Sequence, residues 1–483
     1  MFRSKQLSLS DIYADCLDTF DFDKPGFLYL LEQNIDMESL IPLSFRWNFH
    51  AWTGRPREHP LTGFLWALTI QRIFSIPTDS LLIIFLRCSK ELREFCGFTK
   101  VPDASKFTRF KQKFLPDLKI MFDQLVDLTE PICAEIDPEL AAMTIFDTSG
   151  IEAYVTENNP KYTDSLIRKM KAWKEAKGLS DTFDPYKAAY AAMPSCAASE
   201  NAVKQLYING HFCYVYKFGM ITNGLGIVRD IAFYDEEFLA AHPEIEVGKK
   251  SDSPDEDKSL GDSKALVPTL SAFFKKHPQI QPDVFLGDSA FDTIDIYSKL
   301  LNDIKFNKAF IPLNSRAALK YPDCTINKEG HPCCPKDSSL PMKHEGSKSH
   351  LRCGKPSIKF VCPKMKWVLV DGKYKRRTSC KAPCTDSPCG RMFYIYPEKN
   401  LRTFPGTTRG TDEWDTVYKV RTTVERSIFH FKDSFLVAGR KTRNAQTLHA
   451  DLLLAGITQL ITVLLADKIN RRQYIRSLKP LIA

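Results

Sequence analysis

Apolar residues recur at helical spacing through the first part of the chain. Segments such as "HPLTGFLWALTIQRIF" and "TDSLLIIFLRC" place them three and four positions apart, which predicts a helical domain over residues 1–140. Near its end, Ser105 is a suitable N-cap for a short helix within "VPDASKFTRFKQKF". That helix would carry the cations Lys106, Arg109, Lys111 and Lys113.

A compact helical region that ends in a basic helix is typical of helix-turn-helix modules that bind DNA. We therefore interpret residues 1–140 as a DNA-binding domain, with Lys106, Arg109 and Lys113 as DNA contacts. The alternative is a helical cap with a solvated basic face, and composition alone favours that alternative.

From residue 143 the pattern changes to short apolar runs that are typical of buried strands. The run "MTIFDTSG" ends in Asp147, and "DVFLGDSAFD" delivers Asp288 in the same way. Between them, Asn223-Gly224 in "ITNGL" predicts a β-hairpin. Strands that alternate with helices predict an α/β fold. The predicted core covers residues 141–315 and 401–483, with a cysteine-rich basic insertion at 316–400.

A third carboxylate lies on a predicted helix, "YKVRTTVERSIFHFK", as Glu425. Tyr418, Arg421 and Lys432 fall within an arc of roughly 60° around it if each residue advances the helix by ~100°. Arginine offers a planar fork to phosphate oxygens and lysine a point charge. The face would suit a bound nucleic acid, and the alternative is a solvated basic face with one ion pair.

Three carboxylates on separate elements can converge on divalent cations, and oxygen ligands favour Mg²⁺ or Mn²⁺. Such ions can activate a water or a 3′-hydroxyl and stabilise the leaving oxygen of a phosphodiester. Taken singly, an aspartate at a strand end is better explained as a turn or capping residue. A phosphoaspartate enzyme is not favoured, because Ser149 stands two residues after Asp147.

The spacing Tyr418-x2-Arg421-x3-Glu425-x6-Lys432 resembles the Y-R-E-K signature of a large group of bacterial insertion-sequence transposases. "FDTSG" and "GDSAFD" resemble the segments around that family's two aspartates. "TGRPREHPLTGFLWAL" and "DASKFTRFKQKF" resemble its helical N-terminal domain. The resemblance covers most of the chain and is weakest over residues 155–205 and in the insertion.

The resemblance implies a ribonuclease H-like core with a catalytic D-D-E triad. It assigns Asp147, Asp288 and Glu425 as catalytic residues and Mg²⁺ or Mn²⁺ ligands, and Tyr418, Arg421 and Lys432 as DNA contacts. It implies cleavage at terminal inverted repeats of double-stranded DNA, joining of the 3′-hydroxyl ends to target DNA, and a dimer in the DNA complex. A nuclease without strand transfer and a catalytically silent DNA-binding protein derived from a transposase are the alternatives.

Eight of the fourteen cysteines lie between Cys324 and Cys389. Clustered cysteines in a cytosolic chain indicate a metal site more than disulfides. The spacing is looser than two C-x2-C pairs, so a structural Zn²⁺ site and a set of reduced thiols both stay open. The candidate ligands are Cys353, Cys362, Cys380, Cys384 and Cys389, with Cys333 and Cys334 as further members.

Composition adds little to this picture. The net charge of +9 permits a polyanionic partner. The N-terminus has no apolar core of signal-peptide type. The longest apolar stretch, 452–466, is shorter than the ~20 residues that span a bilayer. We expect a buried helix there, no membrane partner, and a cytoplasmic, nucleoid-associated bacterial protein.

Overall fold

The computed structural model describes residues 26–50, 56–208, 211–247, 249–250, 253–257, 260–315, 324–349, 356–396, 401–439 and 444–481. The first part of the chain is helical, as predicted. Its helices are α1 Gly26–Asn34, α2 Met37–Leu40, α3 Leu43–Phe49, α4 Leu61–Ile73, α5 Asp79–Cys88, α6 Lys90–Phe95, α7 Ala104–Lys113, α8 Leu115–Ile136 and α9 Pro138–Ala141.

The N-cap of the basic helix α7 differs from the prediction. Asp103, and not Ser105, caps it by accepting the backbone N–H of Lys106. The Ser105 hydroxyl instead donates to the Asp103 carboxylate at 2.6 Å. The aspartate has the extended backbone of an N-cap, which leaves the serine inside the first turn.

The sheet that follows is mixed. Its elements, with the intervening helices, are β1 Met143–Glu152, α10 Pro160–Lys177, α11 Pro185–Ala191, β2 Cys196–Ala197, β3 Glu200–Ile208, β4 His211–Thr222, β5 Val228–Phe233, α12 Glu236–Ala241, β6 Lys249–Lys250, β7 Ser253–Asp257, α13 Asp262–Lys276, β8 Val284–Leu286, α14 Ile294–Ser298 and β9 Lys308–Phe310. The strand order is β2-β3-β4-β1-β8-β9, and β5 also pairs with β4.

Strand directions follow from the connections. β4 is antiparallel to both β1 and β5, and this confirms the hairpin predicted around Asn223. β1, β8 and β9 are mutually parallel, with helix α13 in the crossover between β5 and β8. Parallel neighbours need such a crossover, because a tight turn can join only antiparallel strands. The fold is therefore α/β, as predicted.

The insertion consists of short antiparallel strands. They are β10 Cys333–Cys334, β11 Asp337–Pro341, β12 Lys343–Ser349, β13 Pro356–Val361, β14 Met365–Val370, β15 Lys373–Thr378 and β16 Met392–Ile395. Three further helices follow: α15 Asp412–Tyr418, α16 Thr422–Phe429 and α17 Ala445–Lys468. β12, β13 and β16 form one small sheet, and β14 pairs only with β15.

Helix α17, late in the chain, packs against both the N-terminal helices and the sheet. It is long and apolar enough to cross a membrane, yet 94% of its most apolar window is buried inside the protein, as predicted for a core helix. It packs on α4, α7, α8 and β5. Asp451 on α17 accepts Arg72 at 2.5 Å, with both side chains buried. The N-terminal helices and the sheet consequently share one hydrophobic core.

Candidate active site

Asp147 lies on β1 where one of its two neighbours ends. The parallel pairing with β8 stops at Ile145, whereas the antiparallel pairing with β4 continues to Glu152. The prediction that the strand ends at Asp147 is therefore wrong. By that residue the pairing with β8 has ended, but the pairing with β4 continues. Asp147 still reaches the carboxyl edge of the parallel strands, which is where sites form in α/β sheets.

Asp288 follows the neighbouring strand β8 directly. Its carboxylate accepts the backbone N–H of Ser289 and caps a single 3₁₀ turn, Ser289–Phe291. Because β1 and β8 are parallel neighbours, Asp147 and Asp288 meet at the same edge of the sheet. The Asp288 side chain is half exposed, at 51%, whereas that of Asp147 is 22% exposed.

Glu425 lies on α16, which packs against both β1 and β4. The run from Asp412 to Ser434 is helical throughout, but it is not the uniform helix that we predicted. A 3₁₀ turn at Lys419–Arg421 precedes α16, and a π-helical turn at His430–Ser434 follows it. Such local changes of pitch in helices are frequent at functional sites.

The three carboxylates converge on one guanidinium. Arg421 Nη1 lies 2.6 Å from Glu425 Oε1, and Arg421 Nη2 lies 3.4 Å from Asp147 Oδ2 and 3.7 Å from Asp288 Oδ2. Asp147 Oδ2 and Asp288 Oδ2 are thus separated by no more than the sum of their distances from Arg421 Nη2. Arg421 was predicted as a DNA contact, and in the chain without DNA it pairs with these three protein acids.

Charge accounts for the arrangement. Three carboxylates crowd a partly buried space, and one guanidinium cannot neutralise them all. Burial, together with Glu425 and Asp288, raises the pKa of Asp147 to about 6, although Arg421 and a backbone N–H oppose the rise. Burial disfavours the charge on Arg421, yet its acidic neighbours raise the pKa of that guanidinium. The three carboxylates therefore carry more negative charge than Arg421 balances, and an additional cation would stabilise them.

This charge imbalance predicts a pH dependence of stability in metal-free protein. A carboxyl with a raised pKa holds its proton in the folded state to higher pH than in the unfolded state, so it costs stability as pH rises from about 4 to 6. Relative to an Asp147→Asn variant, the free energy of unfolding of the wild type should fall by about 1–3 kcal/mol across that window. It should fall no further above pH 7. Urea titrations of both proteins in chelator measure the difference. A constant difference from pH 4 to 7 would contradict the raised pKa.

Tyr418 and Lys432 flank the cluster. Tyr418 stacks on Trp414 with ring centroids 5.8 Å apart. Burial and the nearby carboxylates raise its pKa to about 12, so it stays a hydroxyl donor. Lys432 Nζ donates to Ser149 Oγ at 2.7 Å, beside Asp147 on β1. An open groove runs along β1 and α16 past Asp147, Glu425 and Lys432.

Among the described residues, no group of three or more His, Cys, Asp or Glu side chains has its donor atoms placed to hold a metal ion. At the active site the reason is Arg421, which occupies the space between the three carboxylates. The donor set itself, three carboxylates from three elements, has the chemistry that Mg²⁺ or Mn²⁺ requires. Metal binding there would require Arg421 to release them.

The predicted cations of α7 divide into two groups. Arg109 and Lys113 are exposed, and they line a groove together with Arg57, whose guanidinium lies 4.4 Å from the Phe49 ring centroid. Lys106 is engaged by Glu58 at 2.6 Å.

Lys111 is buried and pairs with Asp79 at 2.9 Å and Asp451 at 3.0 Å. Its place in the basic face was therefore a wrong prediction. It faces α17 because helical spacing turns it inward with Phe107.

The cysteines of the insertion are close to one another without forming disulfides among the described residues. Cys334, Cys362, Cys380 and Cys384 line a single small cavity. The thiols of Cys334 and Cys384 are hydrogen-bonded neighbours. Cys353, a predicted ligand, lies outside the described residues.

Sequence reasoning missed two acids near the site. Asp262, the first residue of α13, accepts the Thr148 hydroxyl at 2.6 Å and pairs with Lys217. Asp292 is buried and binds Arg402 through two hydrogen bonds, which anchors the segment after Asp288. The sequence shows Asp292 within "GDSAFD", but the partner 110 positions away carries no local signal.

Comparison with protein families matches residues 17–113 to the model described as Transposase domain (DUF772). Residues 17–113 are thus similar to a domain found in transposases. A solved structure, the cryo-EM piggyBac transposase synaptic complex with hairpin DNA, is similar over 95% of this chain and 78% of that chain, with 12% identity and a TM-score of 0.37. A search of curated proteins finds no match. The matched segment includes helices α1 to α7 and the exposed cations Arg109 and Lys113.

Proposed function

We propose that this transposase cuts DNA at the terminal inverted repeats of a mobile element and joins the freed 3′-hydroxyl ends to target DNA. Asp147, Asp288 and Glu425 form its D-D-E triad. Double-stranded DNA is both substrate and partner, and the chain works as a dimer on it in the bacterial cytoplasm. The observation that carries the proposal is the convergence of these three carboxylates, from two strands and one helix, on Arg421.

The order of the sheet supports a ribonuclease H-like core. Along β5-β4-β1-β8-β9, only β4 runs against its neighbours. Asp147 lies on β1, and Asp288 follows its parallel neighbour β8. The third acid comes from a helix packed on β1, after an insertion in the chain. The resemblance to insertion-sequence transposases implied the same core.

The donor set fits a hard divalent cation, since it offers carboxylate oxygens and holds more negative charge than Arg421 balances. When bound, Mg²⁺ or Mn²⁺ supplies Lewis-acid activation of the attacking oxygen and stabilises the charge on the scissile phosphate. Asp147, Asp288 and Glu425 would hold it. The surrounding side chains then position DNA.

Tyr418, Arg421 and Lys432 have chemistry suited to phosphates. Arg421 is committed to carboxylates in the DNA-free chain, and a cation that replaces it would free its planar fork for a phosphate oxygen. Lys432 has only a neutral hydroxyl partner among the described residues, and burial lowers its pKa. A nearby phosphate would stabilise the charged form of Lys432. Tyr418 adds a neutral donor on the same side.

The test uses the full chain and duplexes that carry the inverted repeats found beside its gene. With Mg²⁺ we expect strand cleavage at the repeat end, a free 3′-hydroxyl, and joined products on a plasmid target. Cleavage without joining would instead identify a nuclease. Specific binding without cleavage would identify a catalytically silent derivative, and no binding would overturn the proposal.

The exposed cations of α7 give a prediction about end recognition. An Arg109→Gln/Lys113→Gln variant should bind end DNA about tenfold or more weakly at an unchanged melting temperature, because two phosphate contacts are lost. A Lys111→Met variant should instead lose several kcal/mol of stability, since it leaves buried acids short of a partner. Fluorescence anisotropy and thermal melting separate the two effects. Equal DNA affinity for the double variant and wild type would remove α7 from the DNA interface.

A structural zinc ion in the insertion is our further prediction. Among the described residues of the insertion, Met342, Ile358, Phe360 and Ile395 form a small buried apolar cluster. Small cores usually need a metal or a disulfide. Protein purified without added metal should contain about one Zn²⁺ per chain by elemental analysis. A Cys384→Ser variant should lose it, whereas a Cys88→Ser control, outside the insertion, should not. Freely titrating thiols without zinc in the wild type would contradict this.

A further inference from the structure

The hairpin β14–β15 separates its side chains by chemistry. Six residue pairs, from Met365↔Thr378 to Val370↔Lys373, set its register. The turn between the strands is Asp371-Gly372, both with positive φ, as a tight two-residue hairpin requires. Because alternate residues point to opposite faces, the register assigns each side chain to one face.

One face is aromatic and the other is basic. The first carries Trp367, Leu369 and Tyr374, with Arg376 opposite Trp367. The second, which we call the cationic face, carries Lys366, Lys373, Lys375 and Arg377, with Val368 and Val370 between them.

The aromatic face is tied to the rest of the insertion. Arg376 lies 4.7 Å from the Trp367 ring centroid and pairs with Glu345 of β12 at 2.7 Å. This contact joins Arg376 of the aromatic face to the small sheet. Lys366, Lys373 and Lys375 of the cationic face are exposed. Trp367, Leu369 and Tyr374 of the aromatic face are exposed as well.

The cationic face lacks compensating acids. Within the described part of the chain, its one ion pair is Lys375 with Asp371 at 3.4 Å, and that aspartate is 84% exposed. Lys366 and Arg377 stand directly opposite each other across the strands. Like charges in that position destabilise a two-stranded ribbon, which is marginal on its own. A bound polyanion would remove the repulsion.

We propose that the cationic face of β14–β15 binds the sugar-phosphate backbone of double-stranded DNA. A two-stranded ribbon fits the major groove, and six residues extend over ~20 Å, alongside several phosphates of one strand. The proposal rests on the proposed function. It adds a DNA contact in the insertion, outside the transposase domain and the carboxylate site.

The test measures DNA affinity against salt concentration for the full chain. A Lys366→Gln/Lys373→Gln variant should show a slope of log K against log salt that is smaller by about two, roughly 0.9 for each lost phosphate contact. Its melting temperature should not fall. A Lys275→Gln/Lys299→Gln control removes the same charge from helical sites outside both the insertion and residues 1–140 and should keep the wild-type slope.

A Lys366→Arg/Lys373→Arg variant should also keep that slope, because it retains the charges. If the Gln variant is folded and its slope equals that of the control, the ribbon does not contact DNA, although the transposase proposal stands. If the wild type binds no DNA at any salt concentration, both proposals fail.

Discussion

The Asp288→Asn variant is expected to lose strand cleavage by about a thousandfold or more while it keeps its fold. Loss of a metal-binding carboxylate removes several kcal/mol of transition-state stabilisation. Stability should be unchanged or slightly higher, since Asp288 repels Asp147 and Glu425 around a single guanidinium. Single-turnover cleavage of an end duplex in Mg²⁺, beside thermal melting, measures both quantities.

A matched control is Asp415→Asn, which removes an exposed carboxylate from α15. It should cleave at the wild-type rate. Full cleavage by the Asp288→Asn protein would show that the convergence of the three acids is structural. Loss of cleavage together with a lower melting temperature would also count against the assignment, because the expected defect is purely chemical.

Replacement of Arg421 by glutamine should have opposite effects with and without divalent cations. In chelator, the variant lacks the guanidinium that the three carboxylates share. Its free energy of unfolding should therefore be about 1–3 kcal/mol lower than that of the wild type. Added Mg²⁺ should stabilise the variant more than the wild type, because the cation no longer competes with Arg421 and binding is linked to folding. Cleavage should still fall about tenfold to a hundredfold through a lost phosphate contact.

The control for this variant is Arg426→Gln, an exposed cation on the same helix. Its Mg²⁺-dependent gain in melting temperature should match that of the wild type. An equal gain for the Arg421→Gln protein would mean that Arg421 and the cation do not occupy the same space. Calorimetric titration of Mg²⁺ into each protein offers a second readout that does not depend on activity.

The local patterns of the chain predicted much of this arrangement. Apolar runs located β1 and β8, and the spacing from Tyr418 to Lys432 placed four polar side chains near the same groove. Each of these signals lies within a few residues of the feature it predicts. A helical repeat of ~100° was adequate even though the pitch changes twice along the run.

What sequence reasoning could not reach are the contacts between distant segments. Lys111 looked like part of a basic surface, and only α17, with Asp451, shows that it is buried. Arg421 was predicted as a DNA contact, and its pairing with Asp147 and Asp288 could not be predicted because both aspartates are far away in the chain. In both cases the sequence shows that the side chain is a cation. It does not show which distant residue the cation pairs with, and that partner decides whether the side chain lies at the surface or in the interior.

The shared core has a consequence for synthesis on the ribosome. Arg72 and its buried partner Asp451 are 379 positions apart. At 5–20 residues per second, roughly 20–75 seconds separate their emergence. The N-terminal helices consequently lack their packing partner α17 until translation is nearly finished. A frameshifted or truncated product would leave an apolar surface open to proteases, so N-terminal fragments should not accumulate.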